Sequence, residues 1–153
     1  MISDGVASPT PATIQCGGRP VRSDEAEIAT LIRAWAAAVH HGNLAAVLAD
    51  HSADIVMFDV PPPEQGVRGI EAYRDTWPSF FEWQRSGASF EIVDLHVTAG
   101  DDVAFAYALL RCGSAEELRN NPDHRLRLTI GLQKVDQRWL VTHEHHSFPD
   151  RTP

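Results

Sequence analysis

The chain has 153 residues, 43% of them hydrophobic, and a formal charge of −8 from 21 acidic and 13 basic side chains. A single domain of this size buries roughly two-thirds of the surface its unfolded chain exposes, so it needs neither metal nor disulfide to hold together. The acidic balance lacks the basic run that nucleic acid or an anionic membrane would require, and no apolar stretch reaches membrane-spanning length.

Residues 1–22 are rich in Gly, Pro, Ser and Thr without periodicity and read as a flexible tail. They lack a basic segment followed by an apolar core, so no signal peptide is read. Cys16 and Cys112 have no framework spacing, which fits a reduced, cytoplasmic protein. Residues 23–149 read as one domain and 150–153 as a C-terminal tail.

Ile28, Leu31, Ile32, Trp35 and Val39 recur at three- and four-residue steps, the stripe of a first helix. Asp24 is the expected N-cap with Glu27 reaching back, and Gly42 the expected C-terminal stop. Asn43 then caps a short second helix with Leu44, Val47 and Leu48. Residues 54–60 read as a strand stopped by Pro61-Pro62-Pro63. Gly66 and Gly69 lead into a third helix with Ile70, Tyr73 and Trp77, which Pro78 is expected to kink or restart.

After residue 88 the period changes to two. Strands are expected near 89–99, 102–112, 124–135 and 138–147, with tight turns at 99–102 and 136–138 and a long exposed connection over 113–123. Helices followed by antiparallel strands make an α+β domain. In the second of these strands Val103, Phe105, Tyr107 and Leu109 share one face, and Ala104, Ala106, Ala108 and Leu110 the other. The last strand mixes apolar and polar residues on both faces, Leu140, Thr142, Glu144 and His146 on one, Trp139, Val141, His143 and His145 on the other.

Residues Ala36-Ala37-Ala38-Val39, Gly42-Asn43-Leu44, Leu48-Ala49-Asp50-His51, Ile55-Val56-Met57-Phe58-Asp59, Gly66-Val67-Arg68-Gly69-Ile70 and the ending from Arg138 to Ser147 occur in an order and spacing that resemble the nuclear-transport-factor-2-like superfamily. The resemblance is nearest to its ketosteroid isomerase-like and SnoaL-like polyketide cyclase branch and covers about residues 24–148. It implies a cystatin-like cone, a curved antiparallel sheet wrapped around three N-terminal helices, enclosing a small-molecule pocket.

It also implies that Asp59 stands where ketosteroid isomerases carry their proton-shuttling carboxylate. Thr142, Glu144 and His146 should then face the pocket, Tyr107 should point inward, and Leu128 and Ile130 should line the wall. The pattern departs at the oxyanion hole. Trp35 stands where a tyrosine is expected, and Leu128-Thr129-Ile130 supplies no carboxyl group, so steroid isomerisation by that mechanism is not expected.

The residues themselves support two readings of Asp59. It is either a general base tuned by an apolar pocket of Trp35, Met57, Trp77 and Phe81, or a turn carboxylate capping the proline-rich loop. His146 with Glu144 is either a proton shuttle or a hydrogen-bonded pair inside a narrow cone. His143 and His145 share a strand face and would suit a metal only if the parity brought His51 and Asp59 to them. The reading adopted is acid–base catalysis by Asp59, His146 and Glu144 on a small apolar or carbonyl-containing ligand, with no cofactor and no metal. The rival is a non-catalytic homodimeric module paired through an exposed sheet face, with Trp139, Val141, His143 and Ala106 in the patch.

Overall fold

The computed structural model describes residues 23–150; the tails read at 1–22 and 151–153 lie outside them. Helix α1 (Asp24–His41) starts at Ser23, whose side chain accepts from the Ala26 amide. Asp24 is therefore not the cap. Its carboxylate instead accepts from Lys134 Nζ at 2.8 and 2.9 Å and from Trp139 Nε1 at 3.1 Å, tying the helix to the far end of the sheet. Gly42 ends α1 in the left-handed region at φ 68°, and Asn43 caps α2 (Leu44–Leu48).

Strand β1 (His51–Phe58) begins earlier than its apolar run suggests, because buried His51 opens it. A two-residue strand β2 (Val67–Arg68) pairs back onto it. Helix α3 (Ile70–Gln84) runs unbroken across Pro78, contrary to the expected restart. Proline removes one amide donor, that to the Arg74 carbonyl. The helix is held across this gap by its buried stripe of Tyr73, Trp77, Phe81 and Gln84, whose Nε2 donates to the Val39 carbonyl at 2.7 Å.

Strands β3 (Ser89–Ala99) and β4 (Val103–Gly113) follow. The connection read as an open loop over 113–123 contains a short helix α4 (Ala115–Asn120), with a full capping box between Ser114 and Glu117. Strands β5 (Leu126–Val135) and β6 (Arg138–Ser147) turn on Asp136 and Gln137, both at positive φ, as a two-residue hairpin requires.

One curved, unclosed sheet in the order β2-β1-β6-β5-β4-β3 carries helices α1 to α3 on its inner face, the α+β arrangement expected. Among the described strands only β1 and β6 pair in parallel. Register shifts in β1, β3 and between β5 and β6 bend the sheet, as bulges do. Ala104, Ala106, Ala108 and Leu110 face inward, leaving room above β4 for the larger side chains of the helical layer, while Val103, Phe105, Tyr107 and Leu109 face outward.

The mixed faces of β6 have a local cause. Gly131 pairs with His143 and Leu132 with Val141, so Thr142 is the extra residue of a bulge. The parity reverses there. Trp139 and Val141 face inward before it, and Glu144 and His146 face inward after it. Ala106, Trp139 and Val141, expected on an exposed pairing patch, are therefore core residues.

Candidate functional site

Strand parity and parallel pairing assemble the site. Met57 lies opposite Glu144 and Phe58 opposite His145, so Asp59, the next residue along, arrives beside His146. The loop that leaves Asp59 is pinned at Gly66. Its φ is 77°, and a Cβ there would lie 2.5 Å from the Phe58 ring and 2.6 Å from the Met57 carbonyl oxygen. Only glycine permits that approach. Asp59 Oδ1 accepts from the Val60 amide at 2.8 Å and stands 3.4 Å from His146 Nδ1.

Behind His146 lies Glu144, fully buried. Its Oε2 is 3.1 Å from His146 Nε2, and its Oε1 is 2.7 Å from His51 Nε2 and 2.9 Å from the Tyr73 hydroxyl. The Tyr73 oxygen in turn accepts from Trp35 Nε1 at 3.1 Å. Because a carboxylate only accepts, both histidines must present an Nε2 proton to it. A row therefore runs from Asp59 through His146 and Glu144 to His51, Tyr73 and Trp35.

The row sets its own charges. Burial opposes ionisation of Glu144, but hydrogen bonds from His146 and His51, and their charges, outweigh it and hold the carboxyl well below its usual range. Burial likewise opposes an imidazolium at His146, but hydrogen bonding and charge from Asp59 and Glu144 prevail and raise it to about 9. Burial and then the Glu144 charge push Tyr73 far up, keeping its hydroxyl protonated.

Asp59 and His146 form the polar end of a cavity of about 560 Å³, walled by Trp77, Phe80, Trp83, Phe90, Leu126 and Phe148. Cys112 lines it too, its thiol pushed up to about 12 by burial, then by the charges of Glu117 and Asp59. A cation held between two carboxylates beside an apolar cavity can give a proton to an oxygen and leave a carboxylate to take one from carbon or water.

Of the residues read from the sequence, Asp59, His146 and Trp77 line this cavity and Glu144 backs it. Trp35, Met57, Leu128 and Ile130 lie in the core beneath, not on its wall. Phe81 packs against Trp77 and beside Gly42. Thr142 sits in the bulge, its hydroxyl bonded to the Gly131 carbonyl. Tyr107 points away from the pocket, 51% exposed and stacked on His96, because β4 turns its alanine row inward.

His143 and His145 face outward around Phe58, away from His51, so the alternative ligand set is not brought together. Among the described residues no group of three or more His, Cys, Asp or Glu could hold a metal ion. Nor is any helix there long and apolar enough to cross a membrane.

The partnership of His51 and Tyr73 with Glu144 is not among the sequence-based expectations. Tyr73 was legible as an inward aromatic of α3, but nothing in its spacing names a carboxylate partner 71 residues away. His51 Nδ1 is buried without a hydrogen-bond partner among the described residues, and the residue lines a separate cavity of about 190 Å³ with Leu31, Trp35 and Val47.

Residues 28–151 match the family model of the SnoaL-like domain. A crystal structure of an NTF2-like protein of unknown function from Pseudomonas putida KT2440 is 32% identical, covers 83% of this chain and 88% of its own, and superposes with a TM-score of 0.73. An NTF2-like protein with a cystatin-like fold from Novosphingobium aromaticivorans (16% identical, 82% of each chain, TM-score 0.65) shares the fold. So does a protein provisionally named a ketosteroid isomerase from Shewanella frigidimarina NCIMB 400 (20% identical, 77% of this chain and 92% of that one, TM-score 0.61). No curated protein matches the chain.

Proposed function

The chain belongs to the SnoaL-like domain family, and from that membership and the geometry above we propose that it binds a small apolar or carbonyl-containing molecule and rearranges it by acid–base chemistry needing no cofactor. The observation that carries this reading is the row Asp59–His146–Glu144, which ends at a 560 Å³ aromatic cavity.

Asp59 is the base. Its Oδ1 is occupied by the Val60 amide and His146, while Oδ2 makes no hydrogen bond among the described residues. Oδ2 takes a proton from a carbon next to a carbonyl, and the C–H electron pair moves toward the carbonyl oxygen. His146 Nδ1–H meets that oxygen. Its 3.4 Å separation from Asp59 is longer than a close charge-assisted hydrogen bond, so a ligand oxygen can compete for the proton. Return of the proton from Asp59 to a different carbon completes an isomerisation. Glu144 keeps the imidazolium charged and its ring fixed, and so acts through His146. With Tyr107 on the outer face, the substrate oxygen falls to His146 instead.

Ligand-dependent thermal stability across small carbonyl compounds, steroids and aromatic acids, for wild type and Asp59→Asn, tests the reading. A ligand at one hundred times its dissociation constant adds about 2.7 kcal/mol. A stabilising compound that wild type turns over and Asp59→Asn does not is the expected result. Full turnover by Asp59→Asn would overturn the assignment.

A second reading rests on a separate observation. Val103, Phe105 and Tyr107 are 57%, 50% and 51% exposed in one row with Leu109 on the outer sheet face. Apolar rows of this kind mark association surfaces, and a second copy is the proposed occupant, through an isologous contact. Pairing there leaves the cavity on the opposite face open, so the two readings are compatible. Sedimentation of wild type against Phe105→Lys tests it.

A further inference from the structure

Resting on the reading that the cavity holds a small molecule, we propose that its ligand is an organic cation, a flat apolar body bearing a protonated amine. The cavity wall presents the rings of Trp77, Phe80, Trp83, Phe90 and Phe148. Ring faces carry negative potential and attract a cation lying over them. Asp59 and Glu117 line the same cavity, and no Lys or Arg does. Cys112 and Gly113 line the wall along with them.

Glu117 is fixed in place by its cap. Its Oε2 accepts from the Ser114 amide at 2.8 Å, and hydrogen bonding there keeps it ionised. Its Oε1 takes no hydrogen bond among the described residues. His146 has a carboxylate at each ring nitrogen, Asp59 at Nδ1 and Glu144 at Nε2, so its charge is matched before a ligand arrives. The arginines at the start of β5 are committed elsewhere. Arg125 donates to the Pro122 and His124 carbonyls, and Arg127 to the Ser147 hydroxyl and the Phe148 carbonyl. An anion entering the cavity meets the Asp59 and Glu117 carboxylates, with His146 already paired and His124 stacked on the Phe148 ring. An ammonium meets complementary charge, and the −8 of the whole chain favours its approach to the protein.

The test is calorimetric titration of the full chain at neutral pH and low salt with three probes sharing one ring system: naphthylmethylamine, naphthalenemethanol and naphthoate. The amine should bind about fivefold more tightly than the alcohol, the scale of a partly exposed cation–π and ion-pair contact. The carboxylate should bind at least about tenfold more weakly than the alcohol, as like charges repel across a contact. Glutamine can serve in the capping box, so Glu117→Gln should keep α4 folded, leave alcohol binding unchanged and shrink the amine advantage. Naphthoate binding as tightly as the alcohol, or an amine advantage that is absent or untouched by Glu117→Gln, would overturn the charge assignment while the cavity reading stands. Failure of all three probes to bind would overturn the cavity reading and this inference with it.

Discussion

The inner surface of β6 buries Glu144 and His146, whereas the outer surface of β4 exposes Val103, Phe105, Tyr107 and Leu109. Each surface inverts the usual preference, and each inversion has a different physical basis. Glu144 is tolerated because every oxygen has a donor, from His51, Tyr73 and His146. The exposed row of β4 is apolar apart from the Tyr107 hydroxyl, and Tyr107 stacks on His96. On the proposed reading, the buried polarity serves chemistry and the exposed apolar row serves association.

The sharpest way to break the comparison is to remove the carboxylate that organises the inner surface. Glu144→Ala strands two histidines and the Tyr73 hydroxyl, and should cost about 3–5 kcal/mol in urea unfolding, the scale of a broken buried pair. Gly66→Ala should follow at about 1–3 kcal/mol, because it adds backbone strain and a close contact beneath the Asp59 loop. That variant should also weaken ligand binding more than a surface substitution of equal stability cost.

The pH dependence of stability sharpens the same side. His146 is raised in the fold, so its contribution is complete below an unfolded value of about 6.5 and is lost as pH climbs through about 9. Glu144 is lowered, so its contribution is present above 4.5 and is lost as pH falls toward about 2. Urea midpoints should therefore decline on the alkaline side between those limits, and His146→Gln should flatten that decline. On the outer surface the expected effect on folding is smallest. Phe105→Lys should change monomer stability by less than about 0.5 kcal/mol while shifting sedimentation from dimer to monomer.

The strands after α3 were largely legible, because alternation in β4 and β5 and the turns between strands fix period and ends to within a residue or two. What alternation cannot reveal is a parity reversal. The bulge at Thr142 explains why neither face of β6 read cleanly, and no residue type at that position announces it. The resemblance implies an inward Tyr107, yet the small side chains beside it show which face the helical layer needs. Helix α4 was readable in principle, since Ser114-Ala115-Glu116-Glu117 carries a capping box, but its short length gives no periodicity. Asp59 and His146 are readable as titratable side chains near strand ends. Their meeting depends on parallel pairing of β1 with β6, a contact between strands more than 75 positions apart that spacing does not encode.

The central claim is that His146 is an imidazolium held between Asp59 and Glu144 at the end of the cavity. Nuclear magnetic resonance titration of its imidazole nitrogens in wild type and Asp59→Asn tests this most directly. The account predicts both nitrogens protonated at neutral pH, deprotonation near 9 in wild type, and a lower midpoint in Asp59→Asn. A His146 that titrates at or below about 6.5, unmoved by Asp59→Asn, would contradict it.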